Sequence, residues 1–194
     1  MPIRAAQPAD AASIVTCVNA MWTYLRSNGR INPNVGDWTI ATLQRLNNAG
    51  YKGWVYATAA GRVDAVCIYR IENRNHPIAG FPLTANVAPW MTIPFLCVRP
   101  SVIANTTAAR RTYFWRALKL AIPEAVNSGG AVGIVCEYDA RHQELHDLIA
   151  ANFPATANFE VDSDEAGFGA TERCWLPIKS TALPDFTAIT AGIT

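Results

Sequence analysis

The segment that most constrains this chain is a strand that runs directly into a helix. Phe95 to Val98 is apolar and leads to Pro100. The loop Ile103-Ala-Asn-Thr-Thr-Ala108 follows, and Thr106 to Val126 has the composition of a long helix rich in arginine and aromatic residues. A helix start offers backbone N–H groups that have no partner within the helix, in a dipole that favours anions. A strand feeding such a start therefore points to a phosphate-bearing ligand. The glycines that let a backbone close on a phosphate are missing here.

Around that unit the sequence alternates between strand and helix patterns. Pro2 to Ala6 reads as a short strand. A helix from Pro8-Ala-Asp10 to about Ser27 places Ile14, Cys17, Val18, Met21, Trp22 and Leu25 at helical spacing, and Asn28-Gly29 ends it. Asp37 is positioned to cap a second helix, Trp38 to Asn48, with Ile40, Leu43 and Leu46 as its buried stripe. Trp54 to Ala59 and Arg62 to Glu72 read as strands joined at Ala60-Gly61. Asn73 to Pro89, with its prolines, reads as a long loop, and Met91 to Val98 as the next strand. Ala131 to Tyr138 is almost wholly apolar, as befits a central strand covered on both faces. A helix over Asp139 to Asn152 and a hairpin of Asn158–Val161 with Thr171–Pro177 complete the order. The expected fold is α/β, a mixed sheet of about seven strands with helices on both faces. Residues 1–178 form one domain in this reading. Lys179 to Thr194, poor in charge and without a clear period, is a tail expected to pack on a partner.

Composition narrows the function classes. Hydrophobic residues make up 51% of the 194 and charged residues 16%, so the chain can bury a full core and keep apolar surface for a partner. The net charge of +1 provides no field for nucleic acid or an anionic membrane, although Arg110, Arg111, Arg116 and Lys119 cluster on one expected helix. The five cysteines lie in separate apolar segments with no C-x-x-C, and they read as buried free thiols in a reducing compartment. No signal pattern opens the chain and no apolar run reaches a membrane span, so the expected location is cytoplasmic, or inside a larger assembly such as a virion. His142 and His146 stand four apart without a third ligand and read as exposed helix surface, with no metal expected. Ser13 and Ser101 have no His-Asp companions, and Asp162 to Gly169 reads as a hairpin tip.

This order of elements resembles the GNAT superfamily of acyl-CoA-dependent N-acetyltransferases. Ile3 to Ile14 is similar to that family's first strand and helix, Val98-Arg-Pro100 to the end of its fourth strand, and Asn152-Phe153 to its Gly-Phe after the penultimate helix. The acyl-CoA-binding motif is degenerate. Where the family has Q/R-x-x-G-x-G/A, this chain has Ile103 for the Q/R and Thr106 for the first Gly, and only Ala108 agrees. The position of the family's thiolate-protonating Tyr is Leu148. The resemblance implies an acetyl-CoA site on Leu96, Val98, Asn105, Thr106, Thr107, Ala108, Arg110 and Arg111. Tyr138 and His146 then stand in for the missing proton donor, and Glu137 or Glu72 for the base. It implies acetyl transfer to an amine, of a small molecule or a protein. The alternative is a GNAT-fold component without catalysis, held by protein partners in a larger assembly such as a phage virion.

Overall fold

A computed structural model of the chain describes residues 3–78, 86–102, 130–152, 158–162 and 170–177. The expected helix Thr106–Val126, the tip at 163–169 and the tail 178–194 lie outside the described residues. In chain order the elements are β1 (Ile3–Ala5), α1 (Ala11–Ser27), α2 (Ile40–Asn48), β2 (Lys52–Ala57), β3 (Val63–Asn75), β4 (Val87–Val98), β5 (Gly133–Asp139), α3 (Gln143–Asn152), β6 (Asn158–Asp162) and β7 (Thr171–Pro177). The seven strands form one mixed sheet in the order β1-β2-β3-β4-β5-β7-β6. Every adjacent pair is antiparallel except β4 with β5. A parallel pair cannot be joined by a tight turn, and the long connection after β4 supplies the crossover.

Helices cover both faces, as the sequence indicates. Ile14, Cys17 and Val18 of α1 pack with Val55, Val66, Ile68, Phe95 and Cys97 on one face. Ile149 and Leu145 of α3 pack with Tyr69, Met91, Ile134 and Cys136 on the other. All five cysteines are buried and unpaired, and burial pushes the Cys136 thiol up to about 12. They are buried free thiols, as expected from their apolar settings.

Two local expectations are corrected. The first concerns α2. Its cap is Thr39, whose hydroxyl accepts from the Thr42 N–H at 3.2 Å. Asp37 instead takes a bond from Arg26 Nη2 at 2.6 Å. Asn19 of α1 grips the Trp38 backbone on both sides, at 2.8 and 2.9 Å, and so holds Trp38 out of the helix. Ile40 is 47% exposed, and the stripe packed on the core is Leu43 and Leu46.

The second correction concerns the loop expected at Asn73–Pro89. β3 runs on to Asn75 and β4 starts at Val87, so the connection is shorter than its prolines imply. Pro89 and Pro94 sit where a missing N–H costs little. His76 N donates to Asn86 O at 3.0 Å, and the alternation of an antiparallel ladder then turns the Pro89 nitrogen away from β3. Its carbonyl accepts from Val132 N at 2.8 Å, at the point where β5 begins to pair. Pro94 falls in a bulge, where Ile93 and Pro94 together oppose Tyr69 between the pairs Ile68↔Phe95 and Arg70↔Thr92.

Two side chains and one glycine carry testable consequences. Gly133 of β5 lies so close to Trp90 that an added Cβ would sit 2.3 Å from its ring and 2.6 Å from the Leu176 carbonyl. Gly133→Ala is expected to lower stability by about 1–3 kcal/mol through overpacking, which a thermal melt reads as a fall of about 3–10 °C. At the other edge, buried Asp10 accepts from Arg4 at 2.7 and 2.8 Å and from Gln7 N at 2.7 Å, tying β1 to the start of α1. The Arg4 bonds hold its carboxyl below the ordinary 3.8. Asp10 therefore contributes stability that is present above that value and is lost as pH falls through the lower folded one. Acid melts should show that loss in the native chain, and Asp10→Asn should abolish it while lowering Tm at neutral pH.

Candidate functional site

The parallel pairing of β4 and β5 stops at Ile93↔Cys136, yet β4 continues to Val98 and β5 to Asp139. The two strands splay and leave a gap in the middle of the sheet. Arg99 N donates to Asp64 O at 2.7 Å, which fixes the phase of the β3–β4 ladder beyond the bulge. The two-residue alternation then turns the backbone N–H and C=O of Leu96 and Val98 away from β3, toward the gap. Among the described residues these groups meet no partner, and strand groups so placed suit an extended ligand.

The gap opens into an apolar cleft of about 340 Å³. Met21, Trp22 and Leu25 of α1 form one wall, and Tyr138 with Leu145 the other. Trp22 and Trp38 both stack on Phe95 of β4, at 4.9 and 4.2 Å between ring centroids. A connection after α1 closes the end. Asp139 at the tip of β5 accepts from Asn32 N at 2.9 Å and from Arg141 at 3.0 Å. Arg30 pairs with Glu144 of α3, so the connection is clasped to both β5 and α3.

The residues singled out from sequence fall into three groups. Leu96 and Tyr138 line the cleft, and the Val98 backbone turns toward the gap. Burial first, then the neighbouring Glu172 carboxylate, raises the Tyr138 phenol far above the usual tyrosine range, so it holds its proton. His146 does not line the cleft. Its Nδ1 lies 2.9 and 3.0 Å from the two oxygens of buried Glu172, and its ring packs 4.3 Å from Phe159. The expectation that His142 and His146 are plain helix surface is corrected, since His142 lines the cleft and His146 is clamped to β7. Asn105, Thr106, Thr107, Ala108, Arg110 and Arg111 lie outside the described residues.

Glu137 forms the third group. It is next to Tyr138 on β5 and therefore points to the opposite face. Its Oε1 accepts from Arg74 Nη2 at 2.7 Å and Arg173 Nε at 2.9 Å. Glu72, the other acid singled out from sequence, accepts from Thr92 Oγ1 at 2.7 Å and pairs with Arg70. Neither is a solvated strand-end charge. Sequence reasoning missed Arg74 and Arg173. They belong to separate strands, and only the register Glu137↔Arg173 and the pairing of β3 with β4 bring them together. The only signal was Arg173 as a charged residue within an expected strand, since Arg74 falls in the segment that reads as a loop.

The sequence matches no protein-family model, and no curated protein is significantly similar to it. Solved structures share the fold. An acetyltransferase of the GNAT family from Streptococcus pneumoniae superposes with a TM-score of 0.58 at 17% identity, covering 91% of this chain and 99% of that one. A ribosomal-protein-alanine N-acetyltransferase from Brucella melitensis gives 0.55 at 15%, covering 92% and 100%. NAA60 of Arabidopsis thaliana, solved in complex with a bisubstrate analogue, gives 0.57 at 11%, covering 90% and 95%. The chain has the GNAT fold. No helix among the described residues is long and apolar enough to cross a membrane.

The clasp at the end of the cleft is testable without a ligand. Asp139→Ala removes the acceptor of the Asn32 amide. Leaving a buried donor unmet costs about 1–3 kcal/mol. Hydrogen exchange should therefore speed up by about tenfold or more at Asn32, with β1 and β2 amides unchanged.

Proposed function

We propose that this chain is an N-acyltransferase that moves an acetyl group from acetyl-CoA to an amine. The observation that carries the proposal is the early end of the β4–β5 ladder, which leaves the Leu96 and Val98 backbone facing an apolar cleft. The cleft fits an acyl thioester arm, because its walls are apolar and its polar groups are backbone donors and acceptors on a strand edge.

Acetyl-CoA supplies the thioester-activated acetyl group. N–H groups at Leu96 and Val98 donate to the thioester oxygen as negative charge builds on it, held on a rigid strand that needs no reorganisation. Glu137 lies at the junction of the cleft and the polar face behind it, and it takes a proton from the substrate ammonium, which frees the lone pair that attacks. A C–N bond forms, the C–S bond breaks, Tyr138, kept protonated by its burial, gives its proton to the departing thiolate, and the second proton lost from the nitrogen restores the phenol. His146 acts through Glu172 as a positioning residue for Tyr138. Asn105, Thr106, Thr107, Ala108, Arg110 and Arg111 hold the pyrophosphate, the arginines contributing charge in place of the motif's glycines.

A second reading keeps the fold without the chemistry, as a component of a larger assembly. Leu148 at the family's tyrosine position and Thr106 at its first glycine favour it.

Thermal melts separate the two. A ligand at about a hundred times its Kd adds about 2.7 kcal/mol, or about 5–10 °C for a domain of this size. Acetyl-CoA should produce that shift, and Tyr138→Phe should keep the shift while kcat falls by about a hundredfold. No shift at millimolar acetyl-CoA is the result expected of the assembly component.

A further inference from the structure

The cleft at the β4–β5 gap has two unlike sides. Tyr138 and Leu145 form the α3 side, together with the Leu96 edge that receives the thioester in the acyl-transfer reading. On the α1 side Phe95 and Cys97 of β4 meet Met21 and Trp22. Leu25 extends that wall, and Ile31 and Val35 of the following connection close its end. No Lys or Arg lines the cleft among the described residues. Its carboxylates are Glu137 and Asp139, which share the α1 side because both alternate with Tyr138 along β5. His142, its one group able to turn cationic, already has an interaction partner.

The two carboxylates differ in the acceptors they have left. Both oxygens of Asp139 are taken. Oδ2 accepts from Asn32 N at 2.9 Å, and Oδ1 accepts from Arg141 N and Nε, each at 3.0 Å. Glu137 is bonded on one oxygen alone. Arg74 and Arg173 both donate to Oε1, at 2.7 and 2.9 Å, and Oε2 takes no hydrogen bond from the described residues. The two guanidiniums belong to the polar face behind the cleft and not to its lining. Glu137 thus brings one open acceptor oxygen to the edge of an apolar compartment.

We propose that the α1 side of the cleft is the acceptor site, and that the acceptor is a primary amine on an uncharged, apolar body. The inference rests on the acyl-transfer reading above and names its second substrate. The ammonium meets Glu137 Oε2, and the body lies against Met21, Trp22, Leu25 and Val35. Affinity for the body comes from the apolar surface it withdraws from water, and so grows with each methylene. A carboxylate on that body would face Glu137 and Asp139 with no Lys or Arg on the described lining. A second ammonium would find both Asp139 oxygens already bonded. Either extra charge loses water without gaining an open partner, and this repulsive element sets the specificity.

The test uses the full chain and a ladder of primary amines from ethylamine to hexylamine. Aminocaproate and hexamethylenediamine serve as the charged counterparts of hexylamine. Two readouts are taken: thiol release from acetyl-CoA, and the Trp22 indole N–H resonance in an amine titration without acetyl-CoA. The value of kcat/KM is expected to rise about fourfold per methylene, and hexylamine to exceed both charged counterparts by about a hundredfold or more. Hexylamine should move the Trp22 resonance, and aminocaproate should not. Val35→Arg, at a half-buried position of the connection, should lower kcat/KM for hexylamine about tenfold or more and leave the KM for acetyl-CoA unchanged. Met21→Gln should flatten the ladder of chain lengths if Val35→Arg does not fold. Aminocaproate or hexamethylenediamine turned over as fast as hexylamine would overturn this inference and leave acyl transfer standing. So would rates that ignore the length of the amine but rise from acetyl-CoA to hexanoyl-CoA, since the compartment would then hold the acyl chain. A Trp22 resonance that answers longer alkylamines more tightly, with no turnover, would keep the amine site and sink acyl transfer. A resonance that answers no amine would overturn the site.

Discussion

The bulge at Ile93–Pro94 is the constraint on which the site depends. Before it, Met91 and Ile93 face the α3 side and pack with Tyr69 and Ile134. After it, Phe95 and Cys97, also odd-numbered, face α1 and pack with Val66 and Ile68. One extra residue has exchanged the two faces of the strand. The same shift reverses which backbone groups look at β5. Parallel pairing therefore ends at Ile93↔Cys136, and the Leu96 and Val98 amides come to face away from β3, toward the gap. Proline at position 94 has no N–H to contribute to a ladder, which makes the bulge the place for it. Both strands are anchored independently of the gap, β4 by β3 and β5 by β7. The sheet thus holds the opening without needing a ligand to keep it apart.

The gap connects two different environments. The cleft is apolar, and on its α3 side Tyr138 is half-buried beside Glu172, which holds His146. On the α1/α2 side Glu137 belongs to a network of arginines and acids. Two consecutive residues of β5 thus point a protonated phenol to one face and a carboxylate to the other. Acid and base roles separated by a single strand follow from the two-residue period of the backbone and from the opposite surroundings of the two side chains.

Much of the fold was legible in the sequence because it rests on local pattern. The stripe Ile14-Cys17-Val18 set α1, the apolar run ending at Tyr138 set β5, and Gly61 marked the turn between β2 and β3. The misreadings arose where a tertiary contact overrode a local signal. Asp37 is a good cap by type, but Arg26 claims it and Asn19 holds Trp38 outside the helix. The proline at 89 read as part of a loop because a sequence does not say which neighbour a missing N–H would have faced. Of the site, Leu96, Val98 and Tyr138 were reachable, through the resemblance to a known strand end and the end of an apolar strand. The arginine network was not, since Arg74 and Arg173 are 99 residues apart and meet only through the register of β5 with β7.

The central claim is that the strand edge at Leu96 and Val98 receives an acyl thioester. The most direct measurement is the amide spectrum of the protein, labelled with nitrogen-15, as acetyl-CoA is added. The account predicts that the Leu96 and Val98 amide resonances shift and gain protection from exchange, while Phe95 and Cys97, already bonded to β3, change little. Leu96 and Val98 amides that stay unmoved at saturating acetyl-CoA would contradict it.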